Sequence, residues 1–394
     1  MTVAGRPLLF YAQWWPLGRF HNPEAERKVR AFAAAGYAVT YVPGIGIRNP
    51  GPSSAAKAVD VVGAKLASVR RGREQQPQPF EPGVSSGAVF ALPPRQLGPI
   101  RRLNASWMRR QLQGMVEEWD RALAWIRYPT PEVVAALRHL RPAGIVYECV
   151  DPYPDSPGML GAWRDRLLAA ERELLTQAQV AVTPTEALAD RLRSAGAADV
   201  RVVPHGVELE LFAWPPAPSS SRAPTIGFVG TLDVRLDVEV LREVARAHPN
   251  WRIRLIGPVT EGFDPRALAD LANVSVEPPV GHERVGATIA EFDAGLMPYM
   301  ESRRFRYADT YPIKNLEFLA AGKPAVATPN RALEPFSELL YFAESPREFR
   351  AQLERALAED SPELARRRRA LAEQNAWGRR LDEIVAVAAG VAAA

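Results

Sequence analysis

The chain has 394 residues, of which 47% are hydrophobic and 24% are charged, with a formal net charge of +4. A chain of this length exceeds the size at which one hydrophobic core usually keeps growing, so we expect two domains. No stretch approaches the roughly 20 apolar residues of a membrane-spanning helix, and the N-terminus lacks a signal pattern, so we expect a cytoplasmic protein. The single cysteine, Cys149, excludes an internal disulfide and is expected to be a buried, unreactive thiol.

Short apolar runs alternate with helical patterns in the first half of the chain, which is typical of a parallel sheet covered by helices. The predicted elements are a strand at 8–11, a helix at 23–35, a strand at 38–42, a helix at 103–118, a strand at 122–127, a helix at 131–139, a strand at 144–148, a helix at 158–177, a strand at 179–182, a helix at 185–195 and a strand at 200–203. An insertion rich in Pro, Gly, Ser and Gln interrupts them at about 43–99.

A segment rich in proline and serine, 214–221, indicates a linker, and a second series of the same kind follows it. Its predicted elements are strands at 225–229, 251–256, 274–276, 294–297 and 325–328, with helices at 236–247, 265–271, 284–291 and 312–321, and a helix at 377–391 ends the series. The predicted fold class is α/β, with two tandem doubly wound Rossmann-like domains. We expect an N-terminal domain at 1–210, a C-terminal domain at 211–375, and a terminal helix at 376–394 that crosses back to the first. Open sheets of this kind bind ligands beyond the carboxyl ends of their strands, which favours a site in the cleft between the domains.

The most informative segment is DTYPIKNLEFLAAGKP, residues 309–324. Apolar residues recur at helical spacing from Leu316, and Gly322 ends the predicted helix. Lys314 and Glu317 are three residues apart, so they share one face of that helix. Because a helix start offers unpaired backbone N–H groups to an anion, the segment predicts a site for a nucleoside diphosphate.

A second candidate contact with phosphate lies where the second series begins. The segment IGFVGTLD, residues 226–233, is a strand that runs into a glycine turn. Gly230 would let the backbone approach a ligand closely. A glycine after a strand is also common in an ordinary turn, so the motif alone leaves both interpretations open.

The order of several motifs resembles that of the two-domain GT-B glycosyltransferases, in particular the family 4 type and relatives that modify bacterial polysaccharides and lipid-linked glycans. The matching segments lie within 145–390 and are VTPTEALADRLRSAG, VRVVPHGVE, IGFVGTLD, VSVEPPVG, AGLMPY and DTYPIKNLEFLAAGKPAVAT. The resemblance implies a hexosyltransferase that moves a sugar from a nucleoside-diphosphate donor, in the first place a UDP-sugar, to a hydroxyl of a glycan, lipid-linked or small-molecule acceptor. It also implies catalysis without a bound metal or other cofactor.

Family 4 enzymes carry two glutamates separated by seven residues, and Asp309 and Glu317 stand at those positions here. Glu317 matches the ribose-binding glutamate, and an ionised carboxylate can accept hydrogen bonds from both ribose hydroxyls. Asp309 is shorter than the usual glutamate. Together with Thr310 and Tyr311, it is expected to face the donor sugar.

The resemblance also implies an Arg and a Lys that hold the diphosphate, but this chain has Thr231 and Leu236 at those positions. Another cation must therefore balance the charge that builds up on the leaving phosphate. Lys314 is the first candidate and Arg235 the second, beside the turn at Gly230 and Thr231. Only five of the 49 basic residues are lysines, which favours a selected point charge at 314, although a solvated surface lysine is the alternative.

Candidate residues for contact with the acceptor lie among the strands and helices of the first half of the chain. A strand runs out to Asp151, which would take the acceptor proton if the reaction inverts the anomeric carbon. Asp151 could equally cap a helix or anchor the turn, and a retaining reaction would need no such base. After the first strand, His21 could contact the acceptor or assist proton transfer, and Trp14 and Trp15 offer faces for a sugar ring. A packed aromatic loop would explain these three residues nearly as well.

Basic residues are concentrated at 65–110, which holds nine Lys or Arg against two Glu and so carries +7. Aromatic and aliphatic residues are interleaved with them, so the span could lie on an anionic membrane surface or grip an anionic, lipid-linked substrate. A solvated loop and helix, or less favourably a nucleic-acid contact, are the alternatives. The basic run 366–369 indicates a plain exposed helix face.

Two other functions remain open at this stage. One is a non-catalytic protein that binds sugar nucleotides within a glycan assembly complex, which the missing Arg and Lys would favour. The other is a sugar-nucleotide epimerase of the same fold, which would act on the donor without an acceptor.

Overall fold

The computed structural model describes residues 4–12, 23–45, 78–92, 95, 97–155, 161–215, 223–260, 262–300 and 307–393. The chain divides into two compact units. Unit 1 comprises Met1–Val203 and Leu381–Ala394, and unit 2 comprises Pro204–Arg380. Both are parallel-sheet α/β units, so the predicted fold class is confirmed.

Unit 1 is built on one sheet whose strands are Pro7–Ala12 (β1), Ala38–Pro43 (β2), Gln78–Glu81 (β3), Val84–Ser86 (β4), Leu123–Ile126 (β5), Gly144–Glu148 (β6), Val180–Thr183 (β7) and Val200–Val202 (β8). Their order is β3-β4-β2-β1-β5-β6-β7-β8. The described pairs are parallel apart from the β3/β4 hairpin. The helices are Pro23–Ala34 (α1), Gly98–Gln113 (α2), Pro131–Leu140 (α3), Gly161–Gln177 (α4) and Glu186–Ser194 (α5).

The central strand β1 shows why this sheet carries helices on both faces. Its residues are apolar without alternation, as expected of a strand buried on both sides. Leu8 and Phe10 pack with residues of α1 and with the C-terminal helix Trp377–Ala393 (α11). Leu9 and Tyr11 pack on the other face with residues of α2, α3 and α4. The sheet is therefore covered on both sides, which is the doubly wound arrangement.

Unit 2 contains a second parallel sheet, with strands Thr225–Val229 (β9), Arg252–Ile256 (β10), Val274–Glu277 (β11), Ala294–Met297 (β12), Ala325–Ala327 (β13) and Tyr341–Phe342 (β14). Their order is β11-β10-β9-β12-β13-β14. The α-helices of this unit are Val238–Ala247 (α6), Val285–Ala290 (α7), Lys314–Ala320 (α8), Pro346–Glu359 (α9) and Pro362–Gln374 (α10). The chain leaves β9 for β10 on one side and later returns to β12 on the other, so the strand order reverses between β9 and β12.

Several elements differ from the sequence prediction. The insertion at 43–99 contains the short hairpin β3/β4, and α2 starts at Gly98 because Pro99 suits its first turn. The helix predicted at 265–271 is only a 3₁₀ turn at Pro265–Leu268. Helix α9 was not predicted, and of α10 only the run 366–369 was assigned to a helix.

The basic run on α10 is not a plain exposed face, so that prediction is wrong. Arg368 is only 1% exposed. Its guanidinium donates to the Gly322 carbonyl at 3.2 Å and to Asp360 Oδ1 at 2.5 Å. The neighbouring Arg369 donates to the carbonyls of Phe212 and Ala320 at 3.2 and 3.0 Å. Two of the four arginines therefore hold α10 against the rest of unit 2.

Candidate functional site

Gly230 and Lys314 lie directly against each other at the carboxyl end of β9. Gly230 has φ +153°, a conformation that residues with a side chain rarely adopt. A Cβ added there would lie 2.1 Å from Lys314 Cε and 2.7 Å from its Nζ. The Lys314 ammonium also lies 6.0 Å from the centre of the Phe228 ring. Two residues that the sequence analysis named on separate grounds are thus brought together in one place.

A second glycine allows the backbone after β10 to lie directly against Gly230, which follows β9. Gly257 follows β10 with φ +154°, and a Cβ there would lie 1.9 Å from the Gly230 carbonyl oxygen. The Gly230 N–H donates to the Ile256 carbonyl at 2.8 Å. Gly257 was not predicted as a site residue, although it directly follows a predicted strand, as Gly230 does.

Glu317 lies on α8, one turn after Lys314, and is half-buried. Burial raises the pKa of its carboxyl, whereas the positive charge of Lys314 and the nearby His282 oppose that rise. The His282 imidazole is itself hydrogen-bonded to the Glu208 carboxylate. Sequence reasoning missed His282 and Glu208, because they come from segments far from α8 in the chain.

Tyr299, two residues beyond β12, is a further member of the cluster that the sequence did not reveal. Burial raises the pKa of its hydroxyl, and the charges of Lys314 and Arg235 lower it. Its ring stacks on Tyr307 with centroids 5.0 Å apart and meets the Phe228 ring edge-on at 6.0 Å. Tyr299 follows β12, the sheet neighbour of β9, so its position depends on the strand order.

The Arg235 guanidinium is paired with the carboxylate of the nearby Asp233. Its Nε donates to both carboxylate oxygens of Asp233 at 2.9 Å, and its Nη2 lies 2.6 Å from Asp233 Oδ2. Part of the guanidinium charge is therefore balanced inside the turn that follows Gly230. Thr231 lies half-buried in the same turn.

The start of α8 differs from the prediction of unpaired N–H groups. The N–H of Asn315 donates to the Pro312 carbonyl at 3.1 Å, and that of Leu316 donates to the Ile313 carbonyl at 2.9 Å. The Glu317 N–H also donates to Ile313, at 3.3 Å. Tight turns before the helix thus satisfy these three groups, and the prediction is wrong for them. The positive group of this segment is the Lys314 side chain.

The residues before α8 are only partly described. Asp309 ends a 3₁₀ turn, Tyr307–Asp309, and its side chain lies outside the described part of the structure. The Thr310 hydroxyl donates to the Tyr307 carbonyl at 2.8 Å. The Tyr311 ring meets the His205 ring edge-on at 5.6 Å, and burial raises the pKa of Tyr311 to about 12.

The unit 1 candidates lie at and near the end of β6. Asp151 is exposed, and its carbonyl accepts hydrogen bonds from the Tyr153 N–H at 2.8 Å and the Cys149 thiol at 3.3 Å. Cys149 is fully buried, and burial raises its pKa to about 12, so the thiol stays protonated as expected. His21, Trp14 and Trp15 lie outside the described residues.

Comparisons with known proteins find relatives that match both parts of the chain. A family model described as "Glycosyl transferase 4-like domain" matches residues 21–207, and one described as "Glycosyl transferase-like" matches 235–386. The putative teichuronic acid biosynthesis glycosyltransferase TuaH of Bacillus subtilis (strain 168) is 26% identical over 335 residues, which cover 78% of this chain and 83% of that protein.

Solved structures share the fold at low identity. Sucrose-phosphate synthase from Thermosynechococcus elongatus matches with a TM-score of 0.72 and 15% identity, covering 98% of this chain and 99% of that one. Anabaena HepE in complex with UDP and glucose matches with a TM-score of 0.64 and 13% identity, covering 97% and 99%. The class that these matches define is the GT-B glycosyltransferases. The two family models together match most of the chain, and the chain is a glycosyltransferase of that class, with a 4-like domain at 21–207.

Within the described residues, we find no helix with the length and apolar character needed to cross a membrane.

Proposed function

We propose that this glycosyltransferase transfers a hexose from a UDP-sugar to a hydroxyl of a bacterial glycan or lipid-linked acceptor, or of a small molecule. The observation that carries the proposal is the packing of Lys314 against Gly230, with Glu317 one turn further along α8. This cluster lies at the carboxyl end of β9, next to the point where the strand order of unit 2 reverses. Open α/β sheets bind their ligands at such points.

The donor would be held by groups of different chemistry. Lys314 is the compact positive charge for the diphosphate, and Gly230 and Thr231 let the backbone come close to it. Glu317 would accept hydrogen bonds from the ribose hydroxyls. Arg235 is the weaker candidate for the phosphates, because Asp233 already balances part of its charge.

Negative charge accumulates on the leaving diphosphate as the bond between the anomeric carbon of the sugar and the phosphate oxygen breaks, so a fixed cation there lowers the barrier. We assign that role to Lys314 in place of a metal or other cofactor. Asp309, Thr310 and Tyr311 are assigned to the donor sugar. On the acceptor side, Asp151 would take the hydroxyl proton if the reaction inverts, and His21 would assist.

The relatives support the choice of donor and acceptor. HepE has been solved with UDP and glucose and also with UDP-glucose, and the name of TuaH refers to teichuronic acid biosynthesis. These names describe HepE and TuaH and not this chain. They make a UDP-hexose and a cell-wall glycan the first pair to try.

The test is UDP release from a panel of UDP-hexoses, with and without a bacterial cell-wall glycan. The proposal expects UDP release that depends on the glycan and a labelled sugar that ends in it. A changed sugar nucleotide in the absence of glycan would instead identify an epimerase. Tight UDP binding with no turnover on any donor and acceptor would identify a non-catalytic binding protein.

A further inference from the structure

Helix α2 in unit 1 is fixed on one side by its own side chains. Met108 and Leu112 are fully buried in the core. The Asn104 amide accepts from the Leu92 N–H at 2.8 Å and donates to the Leu92 carbonyl at 2.9 Å. The Gln111 amide holds the backbone of Phe90 in the same way, with both distances 3.1 Å. The helix is thus a firm platform with a defined outer face.

That outer face combines apolar and basic groups. Leu103 on the helix is 52% exposed, and Leu97 at its N-terminus is 53% exposed, so two large apolar side chains lie in solvent beside the arginines. The exposed residues of the helix are Pro99, Arg101, Arg102, Leu103, Ser106, Arg110 and Gln113, and all of them except Arg101 lie on one side of it.

The charge of α2 has a single sign. The helix contains Arg101, Arg102, Arg109 and Arg110, and no acidic residue. Among the described residues none of the four makes an ion pair. Arginines on other exposed helices do so, for example Arg366 with Glu363 at 2.8 Å. The helix therefore presents positive charge beside exposed leucines, although Arg109 shares a surface hollow with Glu117 and Asp120.

The basic surface is narrower than the span 65–110 identified from the sequence. Arg95 is 4% exposed and forms a buried pair with Glu132, with Nη2 and Oε2 2.7 Å apart. It therefore adds nothing to the outer face. Residues 65–77 lie outside the described part of the chain.

We propose that the outer face of Leu97–Gln113 docks on the surface of a bilayer that contains anionic phospholipids. Arginines would pair with lipid phosphates, and Leu97 and Leu103 would enter the boundary between headgroups and acyl chains. Nucleic acid would use the arginines but leave the leucines exposed, so the combination favours a bilayer. The inference goes beyond the transferase activity, because it rests on unit 1 alone and needs no sugar donor.

The test is flotation of the full chain with vesicles of phosphatidylcholine alone or mixed with phosphatidylglycerol. Binding is expected only to the mixed vesicles, and added salt should weaken it. Removing each arginine of this face should weaken binding about fivefold, so Arg102→Gln and Arg110→Gln together should weaken it about 25-fold. Leu103→Ser should weaken it about fivefold more.

The matched control carries Arg366→Gln and Arg367→Gln, which remove exposed, paired arginines from α10. Its vesicle binding should be unchanged, and unchanged melting temperatures check that all variants are folded. Equal binding to neutral vesicles, equal losses in the control, or no binding to mixed vesicles would each overturn the proposal. It would also be overturned if Leu103→Ser bound vesicles like wild type while the chain bound RNA more tightly than lipid.

Discussion

The Lys314 side chain lies so close to Gly230 that the two residues constrain each other, and both face the position that we assign to the donor diphosphate. Lys314→Met keeps an unbranched chain of similar length and removes the charge. Turnover should fall about 100-fold to 1,000-fold, as for loss of a group that stabilises transition-state charge. UDP-release kinetics and the melting temperature measure this, and near-normal turnover in the folded variant would remove Lys314 from the mechanism.

Gly230→Ala tests the same contact from the other side. The new methyl would meet Lys314 Cε at 2.1 Å in a backbone conformation unfavourable for alanine, so turnover should drop and unfolding should become easier by about 1–3 kcal/mol. Gly378→Ala is the matched control, because a Cβ there meets nothing within 4 Å.

A double-mutant cycle sharpens this test. With Lys314→Ala already present, Gly230→Ala should cost less activity than in the wild type, because the two changes damage one contact. Strictly additive losses in activity would show that Gly230 acts independently of Lys314.

Glu317 gives a prediction about pH. Burial raises its pKa, so the carboxylate gains a proton at a higher pH than the ordinary value of about 4.3. UDP affinity should therefore fall as pH drops through that raised pKa, because a protonated carboxyl accepts fewer hydrogen bonds. Titration calorimetry at several pH values measures the effect. Glu317→Gln should bind UDP weakly at all of them, and a variant that keeps the wild-type pH dependence would contradict the assignment.

The raised pKa of Glu317 also predicts how Glu317→Gln changes the stability of the folded protein. A carboxyl whose pKa is higher in the folded than in the unfolded chain favours folding at low pH and opposes it at neutral pH. Glu317→Gln should therefore keep or raise the melting temperature at neutral pH while it weakens UDP binding. A strong loss of stability would indicate a structural role instead.

At the scale of elements, helix α10 shows how one buried charge fixes a helix. Arg368→Ala removes the donor to Asp360 and to the Gly322 carbonyl, so unfolding of unit 2 should become easier by about 2–4 kcal/mol. The neighbouring Arg367 is exposed and pairs with an exposed Glu338, so Arg367→Ala should change stability by less than about 0.5 kcal/mol. Denaturant unfolding followed by circular dichroism compares them, and similar losses would contradict the account.

The elements that the sequence predicted well are those with strong local patterns. Apolar runs predicted strands such as β1, β6 and β9, and the helix predicted at 185–195 is α5, which Thr185 caps by accepting from the Leu188 N–H at 3.1 Å. The hairpin β3/β4 was missed because its strands are short and lie in a segment rich in proline and glycine. The run on α10 was misjudged because the buried partners of Arg368 come from other segments.

The same difference between local patterns and contacts of distant segments decides which site residues could be predicted. Lys314 and Glu317 share a helix face, so their spacing alone could predict that they act together. Gly257, Tyr299 and His282 join them only through the order of the strands and the loops after them. Strand order depends on contacts between distant segments, which periodicity along the chain does not encode.

At the scale of the whole molecule, two doubly wound units and matches to two glycosyltransferase family models make the chain a glycosyltransferase of the GT-B type. The feature on which its proposed activity depends most is the donor site in unit 2. A ligand that binds only the folded state raises the melting temperature, by about 5–10 °C when its concentration is about 100 times its Kd.

The most direct measurement is therefore the melting temperature of the wild type and of Glu317→Gln with UDP, GDP, dTDP, ADP and their sugars. We expect a rise of that size with UDP and with at least one UDP-hexose, little change with the other nucleotides, and loss of the rise in Glu317→Gln. The absence of a shift with any nucleotide, or an equal shift with and without Glu317, would contradict the donor site that we assign to Lys314, Gly230 and Glu317.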